Sequence, residues 1–245
     1  MSTDYVSENL TVPDLAAYFP NMVAGDKSTA TWPYFRKEIG HTWYVDRRHP
    51  QIGFVNKDEA AILYSSAKLF SGKKGLEIGA WRGWSSSHLL ASGLASLHII
   101  EPQLAEPEWR SEFAATLQQA GDGDRAILVP GFSPDEVVSL GEAGWRWSFA
   151  FIDGNHDGDA PKTDTLTAEK YLEPTSLVLF HDLVSPYVAA GLDALKARGW
   201  RTMIYQTAQI MGVAWRGDIA PVRHKPDPAQ AWALPDHLDG YEISS

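Results

Sequence analysis

The chain has no cysteine. Disulfides, thiolate nucleophiles and cysteine-ligated metal centres are therefore excluded. It has no basic run longer than a pair such as Arg47-Arg48 or Lys73-Lys74, and its 31 acidic residues outnumber its 21 basic ones for a net charge of −10. Non-specific nucleic-acid binding rests on clustered Lys and Arg, so no nucleic-acid partner is expected. No apolar stretch approaches the ~20 residues of a membrane span, so no membrane partner is expected either. Met1-Ser2-Thr3-Asp4-Tyr5 offers no basic segment leading into an apolar one, as a signal peptide would, and the cytoplasm is the expected compartment. Internal repeats and low-complexity segments are absent.

What is present is an ordinary globular composition, 44% hydrophobic and 21% charged over 245 residues, enough for one domain with additions. Residues 1–60 are rich in turns and aromatics (Tyr18, Phe19, Trp32, Tyr34, Phe35, Trp43, Tyr44) and read as a lid or substrate wall. Short helices are expected at Asp14–Tyr18 and Lys57–Leu69, the second carrying Ala60, Leu63, Tyr64 and Ala67 on one helical stripe.

Residues 61–217 alternate short apolar runs with helix-length segments. Strands are expected at Gly75–Ile78, Leu97–Ile100, Ala126–Val129, Phe149–Ile152 and Ser176–Phe180. Helices are expected at Ser85–Leu94, Glu108–Gln119, Pro134–Leu140, Ala160–Leu172 and Val188–Arg198. This alternation implies an α/β fold, a mostly parallel Rossmann-like sheet with helices on both faces. Arg201–Tyr205 and Ile210–Trp215 are separated only by Gln206–Gln209. A parallel crossover needs about a dozen residues, so these two strands must be antiparallel, with the last inserted against the others. Residues 218–245, rich in proline and polar residues, read as an irregular surface tail.

Ligands of an open parallel sheet bind beyond the carboxyl ends of the strands. The first strand ends in Glu77-Ile78-Gly79-Ala80-Trp81-Arg82-Gly83, with Ser85-Ser86-Ser87 as candidate helix caps. Glycines let a ligand approach the backbone, and the free N–H groups of the helix start favour an anionic group. The spacing Gly79-x-x-x-Gly83, with Trp81 and Arg82 inside the turn, fits poorly with the Gly-x-Gly-x-x-Gly of a dinucleotide site. Glu77 could face an ammonium while the helix N–H groups face a carboxylate, as the methionine end of S-adenosylmethionine (SAM) would require. Glu101, ending the second strand, can accept from both hydroxyls of a ribose. Gly131, Phe132 and Ser133, ending the third, lie where an adenine could sit.

These elements, with Phe151-Ile152-Asp153-Gly154-Asn155-His156 and Leu179-Phe180-His181-Asp182, resemble the class I SAM-dependent methyltransferases. The Asp153-Gly154-x-His156 and His181-Asp182 elements resemble the small-molecule O-methyltransferases, of macrolide-sugar and distantly of catechol type. The resemblance covers roughly residues 60–217. It implies a seven-stranded sheet with the last strand antiparallel, and SAM as cofactor. It places Glu77 and Gly79 near the methionine moiety, Glu101 on the ribose, and Gly131, Phe132 and Ser133 near the adenine; Ala80, Trp81, Gly83, Ser85, Ser86, Asp153 and His156 are further candidate cofactor contacts. In metal-dependent relatives, the positions of Asp153, His181 and Asp182 hold magnesium. His181 departs from that pattern, because magnesium prefers oxygen ligands and imidazole suits transition metals.

Two catalytic readings stay open. Asp153, His181 and Asp182 hold a divalent ion, or His181 removes the acceptor's proton without a metal, with Asp153 or Asp182 orienting it and His156 as a second candidate catalytic histidine. Asp164, His88 and His98 read as structural; His41 and His49 are alternative bases. The expected function is methyl transfer to a hydroxyl of a small molecule, in specialised biosynthesis. The alternatives are a nicotinamide-dependent oxidoreductase and a non-catalytic SAM-binding domain. The N-terminal lid could be shared between subunits of a homo-oligomer.

Overall fold

A computed structural model describes residues 4–121 and 123–245; residues 1–3 of the N-terminal segment lie outside it. Seven strands form one sheet in the order β6-β5-β4-β7-β8-β10-β9: β4 (Lys74–Ile78), β5 (Ser96–Ile100), β6 (Ala126–Val129), β7 (Trp147–Ile152), β8 (Leu172–Phe180), β9 (Arg201–Tyr205) and β10 (Met211–Arg216). β10 runs antiparallel to both β8 and β9, as the short loop between β9 and β10 required. The pairs β4–β5, β5–β6, β4–β7 and β7–β8 are all parallel. Strand order therefore reverses between β4 and β7, and a crevice opens there at the carboxyl ends.

Both faces of the sheet are buried. One apolar cluster joins α1 (Lys57–Lys68), α2 (Trp84–Ala91) and α3 (Pro107–Gln119) to Leu97, Ile99, Phe149 and Phe151. The other joins α4 (Asp135–Glu142), α5 (Ala160–Glu169) and α6 (Pro186–Ala197) to Leu76, Ile78, Ala150 and Ile152. Strand side chains alternate between the faces. Leu76 and Ile78 thus point toward α4–α6, and Glu77 between them points under α2.

Several local expectations are corrected. Asp14–Tyr18 is only a 3-10 turn at Ala16–Tyr18. The helix expected at Ala160–Leu172 stops at Glu169, and β8 begins at Leu172 rather than Ser176. Its stretch Glu173-Pro174-Thr175 is exposed, where a proline costs no buried ladder bond. The serines do not cap α2: Gly83, at φ 86°, occupies the N-cap. The N-terminal segment also holds three short strands, β1 (Met22–Ala24), β2 (Tyr44–Asp46) and β3 (His49–Gly53), in a separate antiparallel sheet. The tail adds backbone bonds to the β9 edge, Ile204 N–H donating to Glu242 and Ser244 N–H to Ile204, which blunts an otherwise open edge. Among the described residues no helix is long and apolar enough to cross a membrane.

Candidate active site

The turn after β4 is built around a close approach. Gly79 has φ 80°, and a Cβ there would lie 2.3 Å from the Asp153 carbonyl oxygen at the end of β7. Only glycine satisfies both conditions. Glu101, at the end of β5, braces the turn: its Oε2 accepts the N–H groups of Ala80 (3.0 Å) and Trp81 (2.8 Å), and its Oε1 that of Gln103 (3.1 Å).

A cavity of about 830 Å³ lies over these strand ends. Gly79, Ala80, Trp81, Ser85, Glu101, Gly131, Phe132, Ser133, Asp153, His156, His181 and Asp182 all line it. Glu77, Gly83 and Ser86 stand behind the wall. Glu77 is fully buried and its Oε2 accepts the Ser86 hydroxyl at 2.5 Å. Burial outweighs the hydrogen bonds from Ser85 and Ser86 and pushes its carboxyl up to about 8, so it is neutral at pH 7. The expected contact of Glu77 with an ammonium is therefore not offered here, because strand alternation turns its side chain under α2. Gly83 packs instead beside the Phe113 ring. Phe132 is 71% exposed and forms the rim. Asp164, expected to be structural, lines the cavity as well, and burial raises its carboxyl. His88 and His98 are core residues as expected, bonded to the Trp84 carbonyl and the Trp147 indole. His41 lines the cavity, but burial drops its imidazole to about 4, despite the nearby Glu59. His49 packs against Trp81 and Trp109, outside the cavity wall.

The densest chemistry lies where β7 and β8 end. His181 Nδ1 is 3.3 Å from Asp153 Oδ1 and 3.2 Å from Asp182 Oδ2. His156 Nε2 is 3.3 Å and 3.4 Å from the same two oxygens. On its other edge, His181 Nε2 faces Glu59 Oε2 at 3.3 Å. Burial alone would favour neutral imidazoles. The Asp182 and Asp153 carboxylates outweigh it at both rings, with Glu59 adding to them at His181. Both histidines are held above their ordinary range, His181 well above it. Burial likewise opposes the ionised form of Glu59, but His181 overrides it and holds the carboxyl at about 2.

These residues fit a divalent cation. One atom each from Asp153, His181 and Asp182 lies within 4.8 Å of the others. Neither ring nitrogen of His181 is aligned for a hydrogen bond, although both are buried and close to carboxylates. Atoms that converge without bonding one another suit a common centre, and ligands 2.0–2.2 Å from an ion lie roughly 3–3.5 Å apart. The backbone is also unusual here: Asp182 has φ 62° and Ile210 φ 55°, both in the left-handed region. Non-glycine strain of this kind gathers at functional sites.

The opposite wall comes from the N-terminal segment, through Trp32, His41, Trp43 and Asn56. The Trp32 ring lies 5.5 Å from that of His156. Arg36 fixes this wall by donating to the carbonyls of Thr207 and Ala233. Sequence reasoning missed Glu59 and Gln209. The pattern Asn56-x-x-Glu59 signals a capping box, which forms (Glu59 N–H to Asn56 Oδ1, 2.9 Å; Asn56 N–H to Glu59 Oε2, 3.0 Å), but nothing local marks Glu59 as facing a histidine 122 positions on.

Residues 76–183 match a family described as "Methyltransferase domain". No curated protein sequence matches the chain. Among solved structures, the O-methyltransferase TomG of tomaymycin synthesis from Streptomyces achromogenes, in complex with SAM, superimposes at TM-score 0.55 with 19% identity, over 67% of this chain and 82% of that one. An O-methyltransferase from Bacillus cereus in complex with SAH gives TM-score 0.54 and 16% identity, over 66% and 83%. A precorrin-6y C5,15-methyltransferase from Geobacter metallireducens gives TM-score 0.54 and 13% identity, over 67% and 90%, so the fold alone does not choose the acceptor. The family match over residues 76–183, the strand order and the glycine turn at the switch point agree: this stretch is similar to a methyltransferase domain, and the sheet has the fold of the methyltransferases it superimposes on.

Proposed function

We propose that the protein transfers the methyl group of SAM to a hydroxyl of a small molecule, with a divalent cation held by Asp153, His181 and Asp182. The observation that carries this reading is one shared cavity, in which the Glu101-braced turn and the Asp153–His181–Asp182 cluster face a wall of Trp32 and Trp43. SAM would lie from the turn across Glu101 toward Ser133, with Asp164 within its reach. Its methyl would then point at the cluster, and the acceptor would enter against the tryptophans. Residues 1–60 serve as this wall, residues 61–217 as the SAM-binding unit and residues 218–245 as a brace.

Methyl transfer requires the acceptor oxygen to be aligned with the methyl and to lose its proton. His181 is a poor base for that step. Three carboxylates surround it, and without a cation among them they favour the imidazolium, which has no lone pair to accept a proton. The same three carboxylates call for positive charge. A bound cation would supply a Lewis acid that lowers the pKa of the acceptor hydroxyl, so that its proton is lost to solvent as the acceptor binds and the oxyanion takes the methyl, leaving S-adenosylhomocysteine. The wall's task is to hold the acceptor and exclude water. A low-identity likeness to O-methyltransferases is consistent with an oxygen acceptor, and natural-product biosynthesis remains part of this proposal.

The test is transfer of label from SAM to a panel of phenols and sugars, with and without excess chelator. Activity abolished by chelator and restored by a divalent ion supports the reading. Full activity in chelator returns the base role to His181. No transfer, with SAM still bound, favours a non-catalytic domain.

A further inference from the structure

Glu59 sits on α1, outside the methyltransferase-domain match at 76–183, yet it closes the cluster from behind. Its carboxylate is 1% exposed and fully engaged. Oε2 accepts the Asn56 N–H and faces His181 Nε2, while Oε1 accepts the Gln209 N–H at 3.0 Å. Gln209 in turn donates through Nε2 to Asp182 Oδ1 at 3.0 Å and accepts the Arg36 N–H at 3.2 Å through Oε1. Glu59 lies on the edge of the imidazole opposite Asp153 and Asp182, so it is placed to orient His181 rather than to join the cation's ligands.

Glu59 Oε2 stands 3.3 Å from His181 Nε2 without hydrogen-bond alignment, so its negative charge, rather than a formed bond, favours the proton on that nitrogen and leaves the other nitrogen's lone pair for a metal. We propose that Glu59 is a positioning residue that keeps the His181 proton on Nε2 and presents Nδ1 to the point between Asp153 and Asp182, so that the site prefers a transition-metal ion to magnesium. This rests on the cation reading above. The preference follows from the ligand set: a neutral imidazole nitrogen among two carboxylates suits cobalt, zinc, iron or manganese better than magnesium, which demands oxygen.

The experiment is calorimetric titration of the metal-free full chain with Co²⁺ and with Mg²⁺, in wild type, Glu59→Gln, His181→Asn and the double variant, with the visible absorption of bound Co²⁺ as a second readout. Glutamine has a single carbonyl oxygen, so it can accept from only one of the Asn56 and Gln209 amides, and it presents no charge to His181. Wild type is expected to bind Co²⁺ more tightly than Mg²⁺. Glu59→Gln should weaken Co²⁺ binding 10- to 100-fold and alter its spectrum, with much less effect on Mg²⁺, while the one amide left without an acceptor lowers melting of the metal-free form by several °C. In the His181→Asn background the same change should have little further effect. Equal Co²⁺ affinity in Glu59→Gln overturns the proposal. So does a matched loss for both ions, which would mark a structural role only. Failure of wild type to bind either ion overturns both this proposal and the cation reading; binding of S-adenosylhomocysteine in the same sample would leave the SAM reading standing.

Discussion

Gln209 donates through Nε2 to Asp182 Oδ1 at 3.0 Å, tying the β9–β10 loop to the end of β8. The loop that permits a reversed last strand therefore also orients an acid of the candidate cation site. Both partners are buried, and Ile210 and Asp182 both have positive φ. Gln209→Ala removes a donor from Asp182 and an acceptor from the Arg36 N–H. The expected outcome is a loss of about 1–3 kcal/mol in unfolding free energy and roughly tenfold weaker cation binding. Urea unfolding and calorimetry check it, and unchanged cation affinity would show that the Gln209–Asp182 bond does not serve the site.

Gly79→Ala would place a methyl 2.3 Å from the Asp153 carbonyl, on a backbone at φ 80°. Relief requires the β4 turn or the end of β7 to move, and both line the cavity. A destabilisation of about 2 kcal/mol or more and at least tenfold weaker binding of S-adenosylhomocysteine are expected. Wild-type affinity in this variant would separate the turn from the cofactor.

Glu77 gives a pH dependence. Its folded-state carboxyl titrates at about 8, chiefly through burial, against an ordinary value of 4.5. Between those values the folded state holds a proton that the unfolded chain has released. Stability is therefore complete below about pH 4.5 and declines as pH rises toward 8, by at most about 1.4 kcal/mol per unit from this group. Glu77→Gln cannot ionise and should flatten that decline in urea unfolding measured from pH 5 to 8. The same slope in both proteins would mean that Glu77 is ionised in the fold.

Much of the sheet was legible because apolar runs buried on both faces leave strong local signals, and because a four-residue loop forbids a parallel crossover. The acids and histidines at strand ends were legible for the same reason: strand ends are where such a sheet binds ligands. Pro174 hid the first part of β8, since a proline usually ends a strand, and only the exposure of that stretch explains its place. β1 and β2, with three residues each, are too short to carry a periodic pattern and form by pairing across about twenty residues. Glu59, Gln209 and Asp164 could not be read locally. Each depends on how a helix or loop docks against the end of a distant strand.

Trp32 lies 5.5 Å from the His156 ring and lines the cavity, but it is far from the Glu101-braced turn in sequence and belongs to the N-terminal wall. Trp32→Ala is expected to leave S-adenosylhomocysteine affinity within about twofold and to raise the acceptor KM about tenfold or more, as loss of a large aromatic contact does. Steady-state kinetics with an acceptor from the phenol and sugar panel decides it. An unchanged KM would move the acceptor away from this wall.

The cavity beyond β4 and β5 is the proposed SAM site. Calorimetric titration with S-adenosylhomocysteine and with NAD, on wild type and Glu101→Ala, tests it most directly. Glu101 is 5% exposed, braces the turn and faces the cavity. The expected result is micromolar binding of S-adenosylhomocysteine, weakened at least tenfold in Glu101→Ala, and no comparable binding of NAD. Tighter binding of NAD, or S-adenosylhomocysteine binding untouched by Glu101→Ala, would contradict the account.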